Sequence, residues 1–436
     1  MCKPDFATTA AAPPLKLSRR EIAATREDLV IIEDKVYDAA RFRWAHPGGA
    51  IFVSVFGGRD ATLAFQSYHM RAFPHGAMRE YLVADLVDDA VQPDAELAEL
   101  AALVKPHLTN RGFAPRHQVF KAAAIFAVAV GLEAACLVRR TWFLSIALGV
   151  AFALVGLNIQ HDANHGAMFG TSKWKNAFCG LAQAWIGGSQ LMWLQEHVVL
   201  HHLHTGDKLM DPDAQLAPAL RGHDEAPWFP WMVVQQFYLL VLEAGYGLVP
   251  VFAALLETLA WRHKLDDNYK LSRLARPWRA QTIAFHALFY LRFLVVPAFQ
   301  GELPKVAATV AAGGFYLAFF FFLSHNFQAV AFVDGARPDG SCVYPDGSGF
   351  LRQQAASSSN VGASGLCALN GGLNYQIEHH LFPRVAHSHY PTIAPVVKQY
   401  LAGKAPYVHF PTVAANLASV FRHLAALGRR PETKLD

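Results

Sequence analysis

The sequence predicts a multi-domain chain: a small α+β module followed by an α-helical integral membrane domain with about four transmembrane helices and a histidine-rich cap. Three observations carry that expectation. First, the chain contains four near-continuous apolar runs, each close to the roughly 20 residues a helix needs to cross a hydrocarbon core. Second, the 21 histidines are clustered, and the clusters stand at the ends of apolar stretches. Third, charge is unevenly placed. Arg26 to Glu96 carries 7 Lys and Arg against 12 Asp and Glu, a net of −5, whereas the remainder has a net of +9, so the overall +4 joins an acidic module to a basic body. Such asymmetry suits electrostatic docking between the parts or with a partner, although solvated faces would produce it too. With 436 residues, 53% of them hydrophobic and 17% charged, the chain is too long for one ordinary domain and too apolar for a plain soluble protein.

Taken in order, residues 1–25 read as a disordered lead, and Met1 to Leu17 lacks the apolar core of a signal peptide. A compact module is expected over 26–92. Leu29-Val30-Ile31-Ile32 and Lys35-Val36-Tyr37 read as short strands around the turn-like pair Glu33-Asp34. His46-Pro47-Gly48-Gly49 follows, where Pro47 ends any helix and the paired glycines let the backbone approach a flat ligand. His46 and His69 are 23 residues apart, one on a glycine turn and one after a short helix, and could ligate a haem iron from opposite sides. Together, Tyr37-Asp38, His46-Pro47-Gly48-Gly49, Gly58-Arg59-Asp60-Ala61-Thr62 and Phe65-x-x-x-His69 resemble the cytochrome b5 family. The resemblance implies haem b with axial ligands His46 and His69, His75 being a second candidate for the distal position. With both axial positions filled, such a haem carries electrons and does not bind oxygen.

Residues 93–117 read as a linker with a short amphipathic helix from Asp94 to Val104, and the membrane domain is expected over 118–430. Phe120 to Val138 and Thr141 to Ile159 form one helical hairpin, separated by Arg139-Arg140. Glu133 is costly in lipid and should face the bundle or an interface. Phe178 to Leu194 reads as interfacial because of its glycines and polar groups. Thr282 to Phe299 and Val306 to Leu323 form a second hairpin with Gly301 to Lys305 at its tip. If the histidine clusters share one site, an even number of crossings must separate His202 from His379. Met232 to Ala260 then lies along the interface or crosses twice, and it is too short for two full spans. Four spans is the economical answer. The basic run Arg262, Lys264, Lys270, Arg273, Arg276 and Arg279 fits a cytosolic loop, with Arg139-Arg140 a minor dissent.

Within Gln195 to His204, four imidazoles fall in eight residues, and on a helix His197, His201 and His204 lie on one face with His202 beside them. His161 and His165 stand at the end of the first hairpin, and His379-His380 follow the second. Neutral imidazole is the commonest protein metal ligand. Seven strong candidates (His161, His165, His197, His201, His202, His379 and His380) exceed the four positions of a tetrahedral zinc, so a second metal is the simplest outlet. Imidazole alone does not choose among Zn, Fe, Cu and Ni, but a fused one-electron donor serves only a redox-active metal. Two non-haem irons activating dioxygen use both modules. The five cysteines are scattered without a C-x-x-C pair, which argues against a disulfide framework and a zinc ribbon.

The boxes His161-x-x-x-His165, His197-x-x-x-His201-His202 and Gln376-x-x-His379-His380 resemble the membrane fatty acid desaturases. The N-terminal haem module, with Gln376 in place of the first histidine of box three, is the mark of the front-end members. The stretches Asn158-Ile-Gln-His-Asp-Ala-Asn-His-Gly, Trp193-Leu-Gln-Glu-His-Val-Val-Leu-His-His-Leu-His and Leu369-Asn-Gly-Gly-Leu-Asn-Tyr-Gln-Ile-Glu-His-His look most like microalgal delta-4 desaturases, which convert a docosapentaenoic to a docosahexaenoic chain. The resemblance implies iron ligation by the seven box histidines and a direct or water-mediated role for Gln376. His325, after the last span, is either an extra ligand or a helix cap. Asp162, Asn164, Glu196 and Glu378 could accept imidazole N–H bonds, and His204 is expected to orient a ligand or hold a carboxylate. His387 and His389 are expected at the surface.

The implied partners are a long-chain polyunsaturated acyl substrate, membrane lipid and an NADH-cytochrome b5 reductase, with haem and histidine boxes facing the cytosol at the endoplasmic reticulum. The basic run either holds a substrate headgroup or simply sets topology and attracts anionic lipid. Phe315 to Phe322 either walls the acyl tail or packs the bundle. Alternatives are a delta-5, delta-6 or delta-8 front-end desaturase, a sphingolipid desaturase, and a membrane haem electron carrier with structural zinc. No nucleic-acid role is suggested, because the basic residues flank a membrane without a reading module.

Overall fold

The computed structural model describes residues 15–262, 270–333 and 349–431. Its N-terminal module is a four-stranded sheet of β1 (Leu15–Leu17), β2 (Leu29–Ile32), β3 (Lys35–Asp38) and β4 (Leu82–Leu86) in the order β1-β4-β3-β2. β2 and β3 pair antiparallel across Glu33-Asp34, with Glu33 at φ 58, while β1 runs parallel to β4. Leu29, Ile31, Val36 and Ala84 bury one sheet face against Ile22.

This corrects the expectation of a disordered lead over 1–25. Residues 15–25 supply β1 and the helix Arg19–Thr25, and Met1 to Pro14 lie outside the described residues. The helix start has a local cause, since Ser18 and Glu21 form a reciprocal capping box that satisfies two orphan N–H groups. Its tertiary anchor is Arg19, whose guanidinium lies 2.7 Å from Asp60 with both side chains nearly buried.

The linker helix forms as expected over Ala95–Val104, capped by Asp94. It is more than a tether, because Leu97, Leu100, Ala101 and Val104 are buried in one cluster with Ile393, Val397 and Leu401 of the helix Tyr390–Leu401. The linker therefore belongs to the core of the cap.

Among the described residues, four helices are long and apolar enough to cross a membrane: Arg116–Val138, Trp142–Asn164, Pro277–Phe299 and Leu303–His325. Each runs beyond its apolar stretch at one end or both, because a helix need not stop where the sequence turns polar. Glu133 of the first span faces the bundle, accepting from Arg292 Nε of the third at 2.7 Å, and the guanidinium lies 3.8 Å from the Trp185 ring centroid. The second and fourth spans touch through backbone: a Cβ on Gly149 would stand 2.2 Å from the Thr309 carbonyl oxygen. Small residues at such crossings let helices pack by close van der Waals contact where lipid gives no hydrophobic drive. Between the hairpins, Pro230–Gly245 and Val249–Ala260 meet at a bend of 50°. His161, in the last turn of the second span, and His325, at the end of the fourth, both enter the buried histidine groups, as an even number of crossings between them requires.

Two π-helical segments shape the histidine geometry, Gly156–Gln160 just before His161 and Leu194–His201 in the second box. With i→i+5 bonding the period lengthens, so the face that carries His197 carries His201 and His202 and turns His204 aside. The α-helical expectation that groups His204 with His197 and His201 is corrected on that ground.

Arg292→Ala should leave the Glu133 carboxylate buried and unpaired, at a cost of about 3–5 kcal/mol. A lowered thermal midpoint in detergent, largely restored by adding Glu133→Gln, is the expected outcome.

Candidate metal centre and haem cleft

Four elements converge on one buried point. The second span carries His161 in its last turn and delivers His165 just beyond it; the π-helical segment carries His197 and His201, with His202 at its end; the fourth span ends in His325; and the short helix Gln376–Leu381 carries His379 and His380. One ligand atom from each of His161, His165, His197 and His379 lies within 4.8 Å of the others, and the same holds for His201, His325 and His380. His202 stands between the two groups, its Nε2 3.2 Å from His197 Nε2 and its ring stacked 4.5 Å from that of His380. All eight imidazoles are buried.

The outer nitrogens are held by the protein. His165 Nδ1 bonds the Tyr68 hydroxyl at 2.7 Å, His201 Nδ1 Asp211 at 2.9 Å, His325 Nδ1 the Ser357 carbonyl at 3.0 Å, His379 Nδ1 the Tyr390 hydroxyl at 3.0 Å and His380 Nδ1 the Gln354 amide at 3.0 Å. Such bonds fix the tautomer and aim the other nitrogen. Nε2 of His165, His201 and His379 is buried without a hydrogen-bond partner, as are both ring nitrogens of His161. Leaving so many polar atoms unsatisfied is costly unless a ligand takes them. Metal ions fit this donor set.

Burial, and then the neighbouring imidazoles, hold His165, His197, His202, His379 and His380 well below the ordinary imidazole range, in the neutral form a metal needs. Burial acts the same way on His201, but Asp211 and Asp213 outweigh it and push this group up to about 9. A metal taken by His201 Nε2 would release a proton while Nδ1–H stays on Asp211. Asp211 is itself held by the Gly206 N–H at 2.7 Å and that of Asp213 at 2.9 Å.

Several expected supporting residues are placed differently. Asn164 bonds Gln183 and Gln190, and Glu378 bonds Asn360 and Tyr407, so neither accepts from a box imidazole. Asp162 stands 3.9 Å from His161 Nδ1 but 2.9 Å from His387 Nδ1. His387 and His389 are buried rather than superficial; His387 also meets Lys121 Nζ at 2.8 Å, and His389 the Phe113 carbonyl at 3.1 Å. His204, expected only to support a ligand, lies outside both converging groups. Gln376 Nε2 lies 2.9 Å from His325 Nε2 and 3.3 Å from His380 Nε2, with its Oε1 buried and unpartnered. Of the Phe315 to Phe322 run, Phe321 stands edge-on to His161 and His197 at 6.3 and 5.8 Å.

In the N-terminal module, His46 and His69 face each other with ring centroids 6.2 Å apart. Their Nδ1 atoms are tied to the carbonyls of Gly49 and Phe65, which leaves each Nε2 free for a metal. Two metal–imidazole bonds of about 2 Å plus the ring radii match that separation. His75 is instead engaged by the Tyr37 hydroxyl at 2.7 Å and Glu33 at 2.9 Å. The module docks on the basic run: Lys270 Nζ lies 2.6 Å from Glu27 Oε1, the Arg273 N–H donates to Glu27 at 2.6 Å, Arg43 donates to the Leu274 carbonyl at 2.6 Å, and Trp44 stacks on Trp278. Lys264 lies outside the described residues.

These features define a membrane protein in which a haem module is docked against a histidine-lined, two-metal centre. A family model described as fatty acid desaturase matches residues 139–411, and one described as cytochrome b5-like haem/steroid binding domain matches residues 18–87. The chain is 46% identical to an acyl-lipid (7-3)-desaturase of Rebecca salina over 96% of this chain and 94% of that one. It is 47% identical to another of that name from Diacronema lutheri over 94% and 93%, and 30% identical to an acyl-lipid (8-3)-desaturase of Physcomitrium patens over 93% and 89%. The chain belongs to the fatty acid desaturase family and carries a cytochrome b5-like domain, as a front-end acyl-lipid desaturase does. Its cofactors are haem and a di-iron centre.

Asp211 is the support that sequence reasoning missed. Asp211→Asn keeps the shape but loses the charge on His201 Nδ1, and should weaken iron retention against a chelator by roughly 10–100-fold with haem content unchanged.

Proposed function

We propose that the chain places a cis double bond at the delta-4 position of a long polyunsaturated acyl chain, converting a docosapentaenoic to a docosahexaenoic group. The observation that carries this is that two relatives named (7-3)-desaturases are 46% and 47% identical to this chain, against 30% for a relative named (8-3)-desaturase at comparable coverage, while a further (7-3)-desaturase, of Chlamydomonas reinhardtii, is 32% identical. The proposed iron ligands are His161, His165, His197, His201, His202, His379 and His380, with His325 as an eighth, since it joins His201 and His380 in one converging group. Gln376, between His325 and His380, is assigned to the open side of that group, as a ligand or as the holder of a water. His46 and His69 are the proposed haem ligands.

The irons, when bound, would supply the activation of dioxygen that removes two hydrogens from neighbouring methylene carbons; these two hydrogens, with two electrons, two protons and O2, leave as two waters. The chain's own residues do the rest. Tyr68, Asp211, Ser357, Gln354 and Tyr390 aim the imidazoles, burial keeps most of them neutral, and Phe321 presents an apolar edge beside His161 and His197. An NADH-cytochrome b5 reductase on the cytosolic face of the endoplasmic reticulum is the proposed electron source. The pairing of Lys270 and Arg273 with the buried Glu27 supports a docking role for that part of the basic run over headgroup binding.

Expression in a host without the activity, fed twenty- and twenty-two-carbon polyenes, should yield a new double bond at the fourth carbon of the longer acids. A new bond only at the fifth carbon of the shorter ones would make the enzyme a delta-5 desaturase. Products on sphingoid bases alone would make it a sphingolipid desaturase.

A further inference from the structure

The two cofactor sites are linked by consecutive residues. His69, facing His46 across the haem cleft, follows Tyr68 directly in the helix Thr62–His69. Successive side chains on a helix diverge by about 100°, so while His69 turns into the cleft, Tyr68 turns out of the module toward the membrane domain. There its hydroxyl meets His165 Nδ1 at 2.7 Å, the rings lying 5.8 Å apart. The other nitrogen of His165 belongs to the converging group with His161, His197 and His379. Tyr68 is also gripped from behind, because Arg384 Nε, four residues after His380, donates to the Tyr68 carbonyl. The guanidinium of Arg384 is in turn stacked 4.9 Å from the Phe113 ring.

We propose that Tyr68 is the built-in electron bridge of this enzyme, joining the haem ligand His69 through one peptide unit and one phenol–imidazole hydrogen bond to the metal-centre ligand His165. The inference rests on the proposed assignment of His69 and His165 as ligands. Each passage moves one electron. The haem iron goes from ferrous to ferric, one iron of the centre goes from ferric to ferrous, and no proton or bond to a heavy atom changes. With His165 Nε2 turned to the metals, Nδ1 carries the hydrogen and donates to the phenolic oxygen. A surface-docked, separate donor protein must find its orientation anew at each encounter, whereas here the contact is fixed by Arg384, by the Glu27 pairs with Lys270 and Arg273, and by the chain itself. Tyr68 is thus a positioning and relay residue, since it touches a ligand and not the substrate.

The test uses the full chain loaded with haem and iron, comparing wild type with Tyr68→Phe, which keeps the ring and removes the oxygen. With the haem reduced anaerobically by one equivalent of dithionite and the protein then mixed with oxygen and acyl substrate, haem reoxidation is followed by absorption. In Tyr68→Phe, loaded to the wild-type iron content because His165 Nδ1 has lost its partner, it should slow by roughly tenfold or more, with an unchanged haem spectrum. A second arm reduces the irons directly with excess dithionite and a small mediator before oxygen is added, and single-turnover product yield per bound pair of irons should then fall far less than the rate of haem reoxidation. Wild-type reoxidation kinetics in Tyr68→Phe would overturn the bridge. Equal loss of product in both arms would also overturn it, because Tyr68 would then only be building the iron site. Absence of non-haem iron from the wild-type chain would instead bring down the metal-centre reading, and the bridge with it.

Discussion

Eight imidazoles packed into one buried volume impose the constraint on which the rest of this fold depends. Burial keeps most of them neutral, and five have an outer nitrogen bonded by the protein, which leaves the other for a shared centre. No single helix can provide this, because the outer partners lie in different parts of the chain: Asp211 in the loop after box two, Ser357 and Gln354 before box three, Tyr390 after it, and Tyr68 in the haem module. The cap of short helices is therefore dense and polar inside. Its strand pair β5 (Ser359–Val361) and β6 (Val408–Phe410) and the helix Tyr390–Leu401 hold the chain that carries box three.

The same requirement ties the haem module to the membrane domain. Were the module a loosely tethered carrier, His165 would lose the partner of its outer nitrogen whenever the module moved away. Instead, Glu27 is buried between Lys270 and Arg273, Trp44 stacks on Trp278, and the linker helix is part of the cap's core. An acidic module on a basic body suggests attraction, but the cations of the ion pairs at its edge are half exposed, and such pairs are individually weak. Part-buried contacts at Tyr68 and Arg384 and the buried face of the linker helix fix the docking geometry.

Much of this is legible in the sequence. Apolar runs of spanning length and histidines at their ends locate the four spans and the three boxes, because both signals are local. Long-range partners are not local. β1 is recognisable only through β4, some seventy residues away, so Leu15 to Thr25 reads as disordered lead despite the Ser18–Glu21 capping signal. Asp162, Asn164 and Glu378 look like orienting groups because they adjoin ligands in sequence, yet neighbours on a helix point about 100° apart and face other partners. An α-helical period misplaces His204, because the π-helical segment it cannot register realigns box two on His202. His387 and His389 look superficial in a polar, proline-containing stretch, but Gln118 and Lys121 of the first span close over His387 and the Phe113 carbonyl meets His389.

The central claim is that these imidazoles hold a redox-active pair of metals fed by the haem. Metal analysis of the purified full chain tests it most directly. A haem-fed di-iron centre predicts roughly two non-haem irons for each haem iron. One haem iron accompanied by zinc alone, in a chain that forms no product under oxygen, would contradict it.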